Sequence, residues 1–116
     1  MRVLVVEDEP LLSMLLEESV TELGHELAGS AATVEQALEA IESGGIDFAL
    51  LDFSLGQKTN SLPVAARLQA DGIPFIFLSG HHSLDAEGDI PPAPLLTKPF
   101  SLEQLDTAIR GLDLAA

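Results

Sequence analysis

The sequence predicts one doubly wound α/β domain built on a parallel sheet. Three observations carry that expectation. Short apolar runs alternate with helical patterns along the whole chain, the order that βαβ units produce. The run Phe48-Ala49-Leu50-Leu51 is apolar without alternation, which suits a strand covered by helices on both faces. That run ends abruptly in Asp52, at the carboxyl end of its strand, where open α/β sheets place their ligands.

Each element has its own signal. Arg2-Val3-Leu4-Val5-Val6 is β-branched and apolar and reads as the first strand. It runs into Glu7-Asp8-Glu9-Pro10, and Pro10 suits the first turn of a helix, where its missing N–H costs little. Leu12, Leu15, Leu16, Ser19 and Leu23 recur at helical spacing and predict the inner stripe of that helix, which Gly24 ends. Glu26 to Ser30 is a weaker second strand near an edge. Thr33 reads as an N-cap with Gln36 at the capping-box position, and Val34, Ala37, Leu38 and Ile41 give the second helix one apolar face. Gly44-Gly45 ends it, and the strand leading to Asp52 follows.

Ser61-Leu62-Pro63 opens a third helix with Val64, Ala65 and Leu68 inward, closed by Asp71-Gly72. Pro74 to Leu78 is a fourth buried strand leading into Ser79-Gly80. Residues 83–87 admit one helical turn, but Gly88, Pro91, Pro92 and Pro94 oppose a regular helix. The helix before the fifth strand is therefore expected to be short or absent. Leu95-Leu96 is that strand, followed by Lys98-Pro99. Ser101 caps a last helix with Gln104 at the box position, and Leu102, Leu105, Ile109 and Leu112 form its inner stripe. No internal repeat or linker interrupts the pattern, so residues 1–116 are expected to form a single domain.

Composition narrows the function classes. With 47% hydrophobic residues in 116, the chain can build one sizeable core. It has no cysteine, which excludes a disulfide framework or thiolate metal site and fits a reducing compartment. No apolar run is long enough to span a bilayer and no signal-peptide pattern opens the chain, so a cytoplasmic protein without membrane insertion is expected. The net charge of −14, from 5 basic and 19 acidic residues, makes direct nucleic-acid binding a poor expectation, because phosphate binding needs clustered cations. Docking on a basic partner surface remains open.

In a parallel sheet the carboxyl ends of all strands lie at one edge. Glu7 and Asp8 follow the first strand, Asp52 ends the third, Ser79 follows the fourth and Lys98 the fifth. Taken singly, each has a plainer explanation: an Asp after a strand is usually a turn cap, and a lone lysine is usually a surface group. Taken together they converge on one pocket. Three carboxylates in a small site repel one another, and a hard divalent cation relieves the repulsion. Oxygen ligands without His or Cys favour Mg²⁺. Lys98 then offers a point charge and Ser79 a hydroxyl donor to phosphoryl oxygens, which leaves Asp52 as the nucleophile.

With these residues the chain resembles the receiver domains of bacterial two-component response regulators over almost its whole length. The resemblance rests on Glu7-Asp8, the strand-terminal Asp52, Ser79-Gly80 and Lys98-Pro99-Phe100. It implies a five-stranded flavodoxin-like sheet ordered 2-1-3-4-5 with a cis peptide before Pro99. It implies that Asp52 is the phosphoacceptor, that Ser79 and Lys98 contact the phosphoryl group, and that Mg²⁺ is held by Glu7, Asp8, Asp52 and the backbone carbonyl of Ser54. It implies a histidine kinase or histidine phosphotransfer protein as phosphodonor and an unidentified downstream protein. Such a domain assists its own phosphorylation and dephosphorylation without being an enzyme in the ordinary sense.

The motif Pro74-Phe75-Ile76-Phe77-Leu78-Ser79-Gly80, with Leu55-Gly56 and Pro63-Val64-Ala65, is similar to a stand-alone subgroup marked by a Phe-Ala-Thr-Gly motif, which implies a regulator without a fused output domain that acts through phosphorylation-controlled protein contacts or as a phosphate sink. The family usually has Tyr or Phe three residues before the lysine, where this chain has Leu95, so the usual aromatic switch cannot operate. The loop after Asp52 also lacks a proline common in the family. The segment from Gly80 to Pro94 is the expected place for a switch, and positions Ser54 and His81, bordering the path of the attacking water, are expected to tune phosphoryl lifetime. The residues also leave two competitors. A phosphatase with an aspartate nucleophile generally needs a second Asp two residues on, where this chain has Ser54. A pseudo-receiver that only binds a partner would not need every phosphorylation residue that is present here.

Overall fold

A computed structural model describes residues 1–53, 55, 60–79 and 93–112. Five strands and four helices occur among them: β1 Arg2–Val6, α1 Pro10–Glu22, β2 Glu26–Ala31, α2 Val34–Ser43, β3 Phe48–Asp52, α3 Leu62–Ala70, β4 Phe75–Ser79, β5 Leu95–Thr97 and α4 Leu102–Arg110. All pairings are parallel and the strand order is β2-β1-β3-β4-β5, as the resemblance implies. The expected turn at residues 83–87 and the question of a helix before β5 lie outside the described residues, as do Ser54 and His81. Among the described residues no helix is long and apolar enough to cross a membrane.

The sheet divides the core in two. On one face Leu4, Val6, Leu51 and Phe77 pack with Ala37 and Ile41 of α2 and Val64 and Leu68 of α3. On the other, Val3, Val5, Leu50 and Leu78 pack with Leu16 and Val20 of α1 and Leu105 and Ile109 of α4. Successive side chains of a strand point to opposite faces, so a strand covered on both sides must be apolar at every position. Every residue of β3 and β4 is buried, Asp52 and Ser79 included. Edge strands β2 and β5 are only partly covered.

The helix ends follow their sequence signals with two adjustments. Ser101 and Gln104 form a complete capping box on α4, with N···O distances of 3.0 and 2.8 Å. At α2, Thr33 accepts from the Gln36 N–H, but the Gln36 side chain reaches the Ala32 N–H at 2.8 Å instead of that of Thr33. At α3 the Ser61 hydroxyl makes no capping bond, and Asn60 takes over by accepting from the Leu62 N–H at 3.0 Å. Gly24 has φ +88, the left-handed conformation that lets the chain leave α1 and turn into β2.

The inner stripe of α1 differs from the expected one. Ser13, Leu16 and Val20 are buried, while Leu15 is 49% exposed. The expected stripe, set by the leucines, omitted Ser13 and Val20. The Ser13 hydroxyl lies 3.1 Å from that of Ser30 in β2, so its polarity is satisfied on the inner face. The helix is rotated accordingly, and Leu11, Met14 and Leu15 face outward.

Candidate functional site

The site lies where β1, β3 and β5 end. Beyond the last residue of β1, the Glu7 N–H donates to the Ala31 carbonyl at 2.9 Å, so the backbone stays sheet-like for one more residue. This carries Glu7 inward, only 2% exposed, while Asp8 turns to the surface. Asp52 is 7% exposed. The Lys98 N–H donates to the Ser79 carbonyl at 2.7 Å, which ties the end of β5 to the end of β4, and the Lys98-Pro99 peptide is cis.

From that anchor the Lys98 Nζ reaches both buried carboxylates, at 3.2 Å from Glu7 Oε1 and 3.3 Å from Asp52 Oδ1. Carboxylate oxygens of Glu7, Asp8 and Asp52 all lie within 4.8 Å of one another. The structure therefore brings together Glu7, Asp8, Asp52 and Lys98. Ser79 ends β4 in register with Thr97, the residue before Lys98, at the same sheet edge. The expected Ser54 carbonyl ligand lies outside the described residues.

The electrostatics follow from crowding. Burial and the neighbouring Asp52 carboxylate push Glu7 above the ordinary carboxylate range, against the pull of Lys98. Burial and Glu7 also raise Asp8. Lys98 loses solvation, which favours its neutral form, but Asp52 and Glu7 outweigh that loss and hold it charged above its usual range. Among the described residues one cation faces three acids, so the cluster has the donor set and the negative charge that a hard, oxygen-seeking divalent ion fits.

A pH prediction comes from Glu7. Its folded-state pKa lies above the unfolded value, so between the two the folded chain holds the extra proton. Stability owed to Glu7 then rises as pH falls through that window toward the unfolded value and is missing above it. In EDTA, urea unfolding at about pH 7.5 and about pH 5.5 is expected to show a gain at the lower pH that is smaller in Glu7→Gln. Equal gains in the two proteins would contradict this assignment.

Sequence reasoning missed two features here. It treated Glu7 and Asp8 as equivalent, whereas the extra strand-like hydrogen bond buries only Glu7. It also passed over Phe53, whose ring meets Phe77 edge-on at 5.9 Å beside the site. Next to it the Ser61 hydroxyl is fully buried, with no hydrogen-bond partner among the described residues.

A doubly wound five-stranded sheet with a carboxylate cluster and a lysine at its strand ends defines a flavodoxin-like α/β domain. The chain matches the family description "Response regulator receiver domain" over residues 3–110 and belongs to that family. It is 34% identical over 110 residues to the phyllosphere-induced regulator PhyR of Methylorubrum extorquens, covering 92% of this chain and 41% of that protein. The solution structure of SdrG from Sphingomonas melonis superposes with a TM-score of 0.81 at 39% identity, covering 95% of this chain and 93% of that one. The crystal structure of the anti-anti-sigma factor PhyR from Bartonella quintana gives 0.80 at 32% identity, covering 93% of this chain and 45% of that one. The chain spans about half the length of the curated relatives it matches.

Proposed function

We propose that this domain accepts a phosphoryl group on Asp52 from the phosphohistidine of a histidine kinase or histidine phosphotransfer protein. The observation that carries the reading is Lys98 Nζ held between Asp52 and Glu7 at 3.3 and 3.2 Å, a charge already placed where phosphoryl oxygens would lie. An Asp52 carboxylate oxygen attacks phosphorus, the P–N bond breaks, and the imidazole leaves with its electron pair as an acyl phosphate forms. Lys98 holds one phosphoryl oxygen and Ser79 offers its hydroxyl to another. Glu7, Asp8, Asp52 and the Ser54 carbonyl would hold Mg²⁺, which supplies neutralisation of the charge that the carboxylates and phosphoryl group share. The 116 residues act as one cytoplasmic receiver domain, and its output is a protein contact controlled by phosphorylation. By analogy with the relative described as an anti-anti-sigma factor, the downstream partner is a regulator of transcription rather than nucleic acid itself.

The outward face of α1 supplies the surface for the phosphodonor. Leu11, Met14 and Leu15 are 61%, 53% and 49% exposed. A groove of about 470 Å³ runs between Leu12, Leu15 and Ser19 on one side and Pro99 and Phe100 on the other, and reaches Glu7 and Lys98. Lys98, which lines it, stands 3.3 Å from Asp52. Leu15→Asp is expected to weaken phosphotransfer from a protein donor about tenfold, the effect of losing one apolar contact, while labelling by acetyl phosphate stays unchanged. Equal loss with both donors would place the defect in the site and not in docking.

The first test is intact-mass spectrometry after incubation with acetyl phosphate. One phosphoryl adduct is expected with Mg²⁺ and none with EDTA. A folded protein that takes no adduct under either condition would instead be a binding module without phosphorylation.

A further inference from the structure

We propose that Phe53 transmits the phosphorylation state of Asp52, through a stack of buried rings, to a cavity at the opposite edge of the sheet. The inference rests on Asp52 being the phosphoacceptor. Phe53 is the next residue in the chain. Its N–H donates to the Leu78 carbonyl and its own carbonyl accepts from the Ser61 N–H, both at 2.9 Å, so its backbone is clamped between β4 and the start of α3. Any displacement of Asp52 therefore passes to Phe53 before it can dissipate.

The side chain continues the path. The Phe53 ring meets Phe77 at 5.9 Å and 78°, and Phe77 meets Phe75 at 5.4 Å and 84°. Phe77 and Phe75 are 1% and 5% exposed. Flat rings in edge-on contact in a close-packed interior cannot yield independently, so a shift of the first must reorient the next. Phe75 begins β4, at the sheet edge opposite Asp52. There it lines a cavity of about 320 Å³ together with Gln69, Ile73, Pro74, Pro94 and Leu112. A reoriented Phe75 would alter the wall of that cavity. At the near end, the buried Ser61 hydroxyl has no hydrogen-bond partner among the described residues.

The test uses the whole chain with isotope-labelled phenylalanine, Mg²⁺ and beryllofluoride as phosphoryl mimic. Fluorine NMR reports occupancy at Asp52, and ring resonances report Phe77 and Phe75. In the parent, both rings are expected to shift on occupancy. In Phe53→Leu, occupancy is expected to persist while the Phe75 response is lost, and Phe53→Tyr, which keeps the ring, should retain it. Phe53→Met replaces the leucine variant if that chain does not fold. An undiminished Phe75 response in the ringless variant overturns the relay, as does a parent in which the mimic binds and Phe75 stays still. A parent that shows no bound fluorine signal instead removes the phosphoacceptor reading, and the relay with it.

Discussion

Asp52→Asn is expected to abolish the phosphoryl adduct completely and to remove stabilisation by Mg²⁺. The amide keeps the shape of the carboxylate but is neither a nucleophile toward phosphorus nor a charged ligand. For the parent, Mg²⁺ at about 100 times its dissociation constant should add about 2.7 kcal/mol to unfolding free energy. The variant should lose most of that. Without metal its stability should equal or exceed that of the parent, because one of three crowded carboxylates has gone while Glu7 keeps Lys98 at 3.2 Å. Mass spectrometry and urea unfolding with and without Mg²⁺ check both halves. An adduct of undiminished yield on Asp52→Asn would move the phosphoacceptor elsewhere.

Lys98→Met is the second substitution with a large expected effect. It keeps the aliphatic stem and removes the charge. Glu7 and Asp52 are then left nearly buried and uncompensated, 2% and 7% exposed. Breaking a fully buried pair costs 3–5 kcal/mol, and here Lys98 is partly in water, so about 2–3 kcal/mol is expected near neutral pH without metal. Glu7, already raised with Lys98 present, would rise further in its absence. The lost stability should therefore return as pH falls from neutral toward the unfolded Glu pKa. Labelling by acetyl phosphate should slow by about 100-fold or more, the cost of losing one group that stabilises developing charge. A labelling rate close to the parent's would remove Lys98 from the mechanism.

Much of the site was legible because parallel topology does the gathering. Once the strands are recognised, Glu7, Asp8, Asp52, Ser79 and Lys98 must share an edge, and no knowledge of side-chain conformation is needed. What depends on rotation or partner choice was less legible. The stripe of α1 was misplaced toward Leu15 because a pattern count rewards leucine and cannot know that Ser30 waits for Ser13. The burial of Glu7 over Asp8 depends on one backbone bond to Ala31, a residue of another strand. Leu95 drew attention as a missing ring, yet Phe53, just past the end of β3, meets Phe77 of β4 only in the folded sheet.

The contact between Lys98 and Glu7 spans 91 residues of sequence. It fastens the strand that opens the sheet to the segment that follows its last strand. Such a clasp cannot close until every strand between has taken its place, since β3 and β4 stand between β1 and β5. Chemical competence in this domain is thus a late property of folding. A chain whose β1 and β3 alone have paired can already bring Glu7, Asp8 and Asp52 together, but it has no lysine beside Asp52. If Asp52 is the phosphoacceptor, such a chain lacks the charge that would hold a phosphoryl group there.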